Sequence, residues 1–334
     1  MIRRLLAAPL LWVWLLLPAA GMDAASINNA EYAPSKPPGH GKADAKADAL
    51  VIKAQILLDR ARFSPGEIDG KLGENAQKAL KAFAEAKGLK PSQLLTAELW
   101  TALAGTSSDA VIIEYKISND DIKGPFLEKL PARMEDMKEL KALSYTSPRE
   151  AIAEKFHMSE GLLEVLNPGK KFDQAGEILL VADVLKNASQ LKVGRIEVDK
   201  SRQTVKAFAS SGELVAFFPA TVGSKEKPTP SGTFKVVSAD ANPNYRYNPD
   251  YKFKGVKSKE VFTIKPGPNN PAGSFWIGLS AEGYGIHGTP NPSTVSKSES
   301  HGCVRLTNWD ATLLGRSVKK GTPVAFVEQP GGKS

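Results

Sequence analysis

From residue 193 onward the chain is built of short apolar or alternating runs, "RIEVD", "TVKAF", "LVAFFPATVG", "GTFKVVS", "VFTIKP", "SFWIGLS" and "PVAFVEQ", separated by Gly, Pro, Ser and Asn turns. Such runs bury one face of a strand and are too short for ordinary helices. A mostly β domain is therefore expected over residues 193–328. Within it only residues 308–315 read as a helix, with Thr307 or Asn308 as cap and Leu313 and Leu314 on the apolar side. The stretch "DANPNYRYNPDYKFKGVKSK", residues 240–259, is too polar and proline-broken for a core strand and reads as a loop over a cleft.

Upstream the texture is helical. Leu50, Val51, Ala54, Leu57, Leu58 and Ala61 recur at helical spacing, as do Ala76, Ala79, Leu80 and Phe83, with Gly88 placed as a C-cap. Thr96 can cap a third helix that carries Leu99, Trp100 and Leu103 inward. These three helices define a small domain over residues 49–104. The glycines and proline of "FSPGEIDGKLG" force a tight loop between its first two helices. Residues 26–48, rich in Ala, Pro, Gly, Lys and Asp without apolar periodicity, read as a disordered linker. Residues 105–138 are assigned only as a connecting segment.

Over residues 139–190 a strand near 142–145, a helix opening at Ser147-Pro148-Arg149-Glu150, a second short helix around Leu162, Leu163 and Leu166, and a strand in "EILLVAD" predict a β-α-α-β unit. At the other end, Arg3 and Arg4, the apolar residues 5–17 and the small residues Ala19, Ala20, Gly21, Ala24 and Ala25 have the form of a secretory signal within residues 1–25. Cleavage is expected between Gly21 and Ala25. The apolar run is short for a membrane span, so no transmembrane anchor is expected after cleavage. The formal charge of +8 suits an anionic polymer, but no dense basic block interleaved with aromatics is present, which argues against nucleic acid.

Export makes the cysteine count informative. Cys303 is the only cysteine in 334 residues, so in an oxidising compartment it has no intramolecular partner. It sits in "SESHGCVRLTN", and two of the four histidines, His287 and His301, lie within 16 residues of it. A thiol reacts as thiolate, and an imidazole within reach can lower its pKa and act as general base and then general acid. His301, two residues away in an extended segment, cannot easily turn its ring to the sulfur. His287 arrives from another strand end and is the better base. The N–H groups at His301, Gly302 and Cys303 can converge as an oxyanion hole, Gly302 permitting close backbone approach. A zinc site from His287, His301 and Cys303 would need a fourth ligand or water, and the H-x-C spacing is weak as a metal pattern. No metal or cofactor is expected.

These residues, "HGT" at 287–289 and "SHGCVRL" at 300–306, together with "TPSGTF", "GPNNPAG" and "FWIGL", resemble the L,D-transpeptidase (YkuD-type) catalytic domain over residues 193–328. The resemblance implies a YkuD-like β-sandwich in which Cys303 is the nucleophile and His287 the base. The Gly288 carbonyl would stand in for a third triad member, with Ser300 and His301 supporting the oxyanion loop that Gly302 belongs to. Ser300, Tyr284 and Arg305 are implied as substrate-binding or loop-bracing residues. The loop around Asp69-Gly70-Lys71-Leu72-Gly73 and its flanking helices resemble a peptidoglycan-binding domain, with Phe83-Ala84 where that family usually has an aromatic-Gln pair. Residues 139–190 resemble a divergent LysM module that lacks the usual glycine-aspartate-threonine opening. Together these imply a periplasmic enzyme that acts on peptidoglycan stem peptides and glycan, forming 3→3 cross-links through an acyl-thioester or exchanging the terminal D-residue. The alternatives are an L,D-carboxypeptidase, a member that attaches or detaches a wall-linked lipoprotein, and a silent wall-binding adaptor.

Overall fold

The computed structural model describes residues 22–34, 46–184, 191–224, 227–251, 256–300 and 302–328. The first unit is helical. Helix α1 (Ala24–Asn28) is capped by Asp23, whose side chain accepts from the Ser26 N–H. Helix α2 (Ala49–Arg60) is capped by Asp48, α3 (Glu74–Ala86) follows Gly73, and α4 (Ala97–Ala104) is capped by Thr96. Of the periodic apolar residues named above, Leu57, Leu58, Ala79, Leu80, Phe83 and Leu103 are buried in one core, with Ala61 partly buried against it.

Part of the expected linker is folded. Ile27 of α1 is fully buried, the Asn28 side chain accepts from the Val111 and Ile112 N–H groups, and Lys53 donates to the Asn28 and Ala30 carbonyls. A low-complexity composition concealed one apolar anchor and one amide placed to complete another element's backbone bonds. Residues 1–21 and 35–45, which hold most of the signal and the rest of the linker, lie outside the described residues.

The unit expected as β-α-α-β is closed by a strand pair, but two further short helices lie between its strands and its first strand lies elsewhere. Strand β1 (Ile112–Lys116) pairs antiparallel with β2 (Ile178–Ala182), from Ile112 opposite Ala182 to Lys116 opposite Ile178. The short helices α5 (Asn119–Ile122) and α6 (Met134–Met137) come next, then α7 (Pro148–Lys155), capped by Ser147, and α8 (Glu160–Leu166), capped by Ser159. The unit therefore begins inside the expected connecting segment. Residues 142–145 form no strand because their backbone is engaged by the next domain: the Leu143 N–H donates to the Pro266 carbonyl, and the Asn269 N–H donates to the Leu143 carbonyl.

The β domain contains β3 (Arg195–Asp199), β4 (Thr204–Phe208), β5 (Leu214–Pro219), β6 (Gly232–Ala241), β7 (Tyr245–Tyr247), β8 (Phe262–Ile264), β9 (Phe275–Leu279), β10 (Gly285–His287), β11 (Val304–Arg305), helix α9 (Asn308–Ser317) and β12 (Pro323–Val327). Eight strands make one sheet in the order β11-β10-β9-β6-β12-β3-β4-β5. The expected sandwich is this single sheet curled on itself. The long strand β6 pairs with β12 from Gly232 to Lys235 and with β9 from Val236 onward, with a register shift between Val236 and Ser238, so it belongs to both halves. Ile196, Val205, Phe218, Ile277, Ile286, Val304 and Leu314 share the resulting core. The predicted loop at 240–259 includes β7, which pairs antiparallel with β8 as a separate two-stranded arm.

The units are docked along their length. Phe63 forms a parallel bridge with Phe217 on edge strand β5, with Ser64 N–H donating to the Phe217 carbonyl and Phe217 N–H to the Arg62 carbonyl. Asn75 donates to the Val295 carbonyl and Lys78 to the Ser296 hydroxyl. Arg60 and Asp183, both almost fully buried, form an ion pair at 3.1 Å that joins α2 to the chain after β2. Removing one member of such a pair leaves a buried charge unpaired, at a cost of about 3–5 kcal/mol. The loop that resembles a peptidoglycan-binding site contributes to this docking, with Phe63, Ser64, Ile68 and Gly70 buried and Ile68 bridged to Met158.

Candidate active site

Two neighbouring strands place the site. Strands β10 and β11 are parallel, with Ile286 opposite Val304 and His287 opposite Arg305. Alternation along a strand sends Ile286 and Val304, both buried, into the core. His287 and Arg305 take the other face, and Cys303, two residues before Arg305, shares it. His287, Cys303, Arg305 and Ser300 all line one cavity of about 900 Å³, closed on other sides by Trp276 and by Tyr245 and Arg246 of the β7–β8 arm. His301 lies outside the described residues.

The imidazole is held on both sides. His287 is 6% exposed, its Nδ1 lies 2.7 Å from the Gly288 carbonyl oxygen, and its ring stacks on Trp276 at 5.4 Å between centroids and 23° between planes. A carbonyl can only accept, so Nδ1 carries the proton and Nε2 is left as the basic nitrogen. The stacking partner follows from sheet register, because Trp276 sits opposite His287 across the β9–β10 pair. The Gly285 position is kept small for the same ring: a Cβ there would lie 2.4 Å from the indole. Burial, aided by the Arg305 charge, pushes His287 down to about 4.

The sulfur is half-buried and lies 3.7 Å from the Gly283 carbonyl. Burial pushes the Cys303 thiol up, opposed in part by a backbone bond from Gly285 and by the charges of Arg305 and Lys227. The sequence-based expectation that a neighbouring imidazole lowers this pKa is thus reversed for the resting site. A neutral imidazole contributes no positive charge, and desolvation outweighs the two cations. Both shifts favour the neutral forms, thiol and imidazole.

The oxyanion expectation also changes. The Gly302 N–H donates to the Ser300 hydroxyl at 3.2 Å, and that hydroxyl donates to the Cys303 carbonyl, so Ser300 braces the loop. Thr229 closes it from the other side, accepting from the Gly223 N–H at 2.7 Å and donating to the Gly302 carbonyl at 2.9 Å. Gly302 has φ +104°, and a Cβ there would lie 2.8 Å from the Tyr284 ring. Tyr284 packs on the loop backbone and is not among the residues lining the cavity. Sequence reasoning passed over Trp276, Lys227 and Thr229. The alternation in "FWIGL" could have found Trp276, since Phe275 and Ile277 point inward.

The L,D-transpeptidase catalytic domain (YkuD) family matches residues 194–325. A family described as "Putative peptidoglycan binding domain" matches residues 47–103. The chain is 30% identical over 179 residues to the "Putative L,D-transpeptidase YkuD" of Bacillus licheniformis, covering 53% of this chain and 92% of that protein. The chain belongs to the YkuD-type L,D-transpeptidase family. It is also 28% identical to the "Probable L,D-transpeptidase YbiS" of Escherichia coli over 55% of this chain and 61% of that one. A crystal structure of the L,D-transpeptidase from Xylanimonas cellulosilytica is 16% identical over 87% of this chain and 100% of that one, at a TM-score of 0.38. Among the described residues of this chain, no helix is long and apolar enough to cross a membrane. Neither comparison family covers the β-α-α-β unit, so its likeness to LysM rests on the sequence motifs alone.

The depressed His287 has a measurable consequence. Nε2 can take a proton only while the ring is neutral, and the ring is protonated only below about 4. The acid limb of kcat/KM should therefore have its midpoint near pH 4, well below the ordinary imidazole value of about 6.5. A pH-rate profile with single-turnover peptide substrate checks this, and a midpoint between 6 and 7 would mean that a solvated group carries the step, on the ordinary range for histidine of about 6–7.

Proposed function

We propose that this protein is an exported L,D-transpeptidase that remodels peptidoglycan in the periplasm through a thioester on Cys303. The observation that carries this reading is the register of β10 and β11. It puts His287 and Cys303 on one face of paired strands above one cavity, with Nδ1 tied to the Gly288 carbonyl. The sulfur attacks the carbonyl before the terminal D-residue of a stem peptide as its proton passes to His287 Nε2. The C–N bond then breaks, the same proton goes to the leaving amine, and the acyl group stays on sulfur. A second stem's amine attacks the thioester, gives its proton to His287, and leaves as a 3→3 cross-linked product while the thiol is reprotonated.

With Gly302 N–H occupied by Ser300, the Cys303 N–H is the donor best placed for the developing oxyanion. The cavity volume suits a peptide; Arg246 and Arg305 in its lining can meet the carboxylates of stem peptides, and Asp240 and Glu282 their amines. Export follows from the form of the leader. Cleavage after Gly21 leaves α1 and its Asp23 cap whole, whereas cleavage after Ala25 would divide the helix. The helical and β-α-α-β units would hold the enzyme on the wall and raise local substrate concentration.

A carbapenem, whose strained carbonyl imitates the scissile amide, tests nucleophile and reaction class together. Intact mass spectrometry should show one added drug mass, mapped to the peptide "SHGCVR", with none on Cys303→Ala or denatured protein. An adduct on another residue would keep the reaction class and lose the site. Product analysis with and without added amine then separates transpeptidation from carboxypeptidase action.

A further inference from the structure

The side chain behind the catalytic histidine belongs to α9, and what holds it comes from a different unit. Asn308 is 2% exposed. Its Oδ1 accepts from the Ser274 N–H at 2.9 Å and lies against the backbone of Gly288 so closely that a Cβ there would meet it at 2.2 Å. Gly273 is equally confined, its would-be Cβ lying 2.1 Å from the same oxygen and 2.5 Å from the Gly288 carbonyl carbon. Asn308 therefore packs against the glycine whose carbonyl orients His287.

The opposite end of the amide is anchored by Glu154 on α7. Asn308 Nδ2 donates to Oε1 at 2.9 Å and to Oε2 at 3.1 Å, and also to the Pro268 carbonyl at 3.1 Å. Tyr145 donates to Glu154 Oε1 at 3.0 Å, completing the carboxylate's surroundings. The same stretch grips the loop "GPNNPAG": Asn269 donates to the Ser144 carbonyl and to Glu150, and a Cβ on Gly267 would lie 2.2 Å from the Leu143 carbonyl oxygen. Two sets of contacts thus run from the β-α-α-β unit, one to Asn308 and one to the loop that ends at Gly273, and both Asn308 and Gly273 lie against Gly288.

We propose that Glu154 is a positioning residue of the transpeptidase reaction, acting through Asn308 and the Gly288 peptide to hold His287 in its Nδ1–H tautomer. The proposal rests on the reading of His287 as the base. It makes the β-α-α-β unit part of the catalytic architecture as well as a wall-binding attachment, and a catalytic domain cut free before residue 193 would lack the anchor.

The test uses the full chain with Glu154→Leu, which keeps the volume and removes the acceptor, and Glu154→Gln, whose Oε1 can still accept from Asn308 and Tyr145. Imidazole nitrogen shifts, with His287 assigned by comparison with His287→Gln, should show one tautomer protonated at Nδ1 in the parent and in Glu154→Gln. Glu154→Leu should show mixed tautomers, a kcat lower by about 10- to 100-fold and a KM within about twofold of the parent, the pattern of a lost alignment. If Glu154→Leu does not fold, Glu154→Asp, which draws the carboxylate back by one methylene, should give the same changes in smaller measure. A folded variant with parental kcat and tautomer overturns the proposal. So does a fall in kcat with the tautomer unchanged, which would make Glu154 merely structural, and so does a glutamine variant as slow as leucine. Because the tautomer is read without turnover, it still reports on this relay if Cys303→Ala proves active and the functional reading fails.

Discussion

Cys303→Ala should leave the fold standing and lower release of the terminal D-amino acid from a tetrapeptide stem by about 10,000-fold or more. Loss of a nucleophile removes the covalent route altogether and leaves only binding and polarisation. Stability should hardly respond. The sulfur is half-buried, sits at the cavity wall and makes only a long contact to Gly283, so its removal should cost about 1 kcal/mol. Released D-amino acid and the thermal midpoint, measured on the same preparation, check both halves. Substantial release by a folded Cys303→Ala protein would place the nucleophile elsewhere.

His287→Ala should be nearly as damaging, with kcat/KM down by about 100- to 10,000-fold, the usual range for a general acid-base group. Here the loss should approach the upper end. The thiol's pKa is raised by burial, so without a base little thiolate is present at neutral pH. Raising the pH should recover part of the lost rate in His287→Ala, since hydroxide then makes the thiolate that the imidazole no longer assists. His287→Gln, which fills the space against Trp276, separates packing from proton transfer and should be equally slow. His301→Gln should be milder, its expected contribution being through backbone. If it is the more damaging of two well-folded variants, the roles are reversed.

Much of the fold was legible because it depends on local chemistry. Periodic Leu, Ile and Ala positions gave α2 and α3, Ser147-Pro148 gave the start of α7, and alternating runs gave the strands of the β domain. The errors share a cause. Residues 142–145 have a strand-like composition, but the backbone partners of Leu143 are Pro266 and Asn269, more than 100 residues away, and β2 pairs instead with Ile112–Lys116. Likewise the linker around Ile27 looked structureless because what orders it, Val111 and Ile112, lies more than 80 residues away.

At the site, the sequence by itself determined which groups could do chemistry: one thiol, two nearby histidines, and glycines where backbone must come close. Only the tertiary structure decided their states. Pairing β10 with β11 put His287 and Cys303 on the same face, and pairing β10 with β9 put Trp276 under the imidazole. Burial then pushed the Cys303 thiol up and His287 down, against the simple expectation for adjacent thiol and imidazole. It also brought Glu154 to Asn308 across a sequence separation of 154 residues. Desolvation and long-range hydrogen bonds depend on which surfaces meet, and residue order along a chain specifies that only once the whole chain has folded.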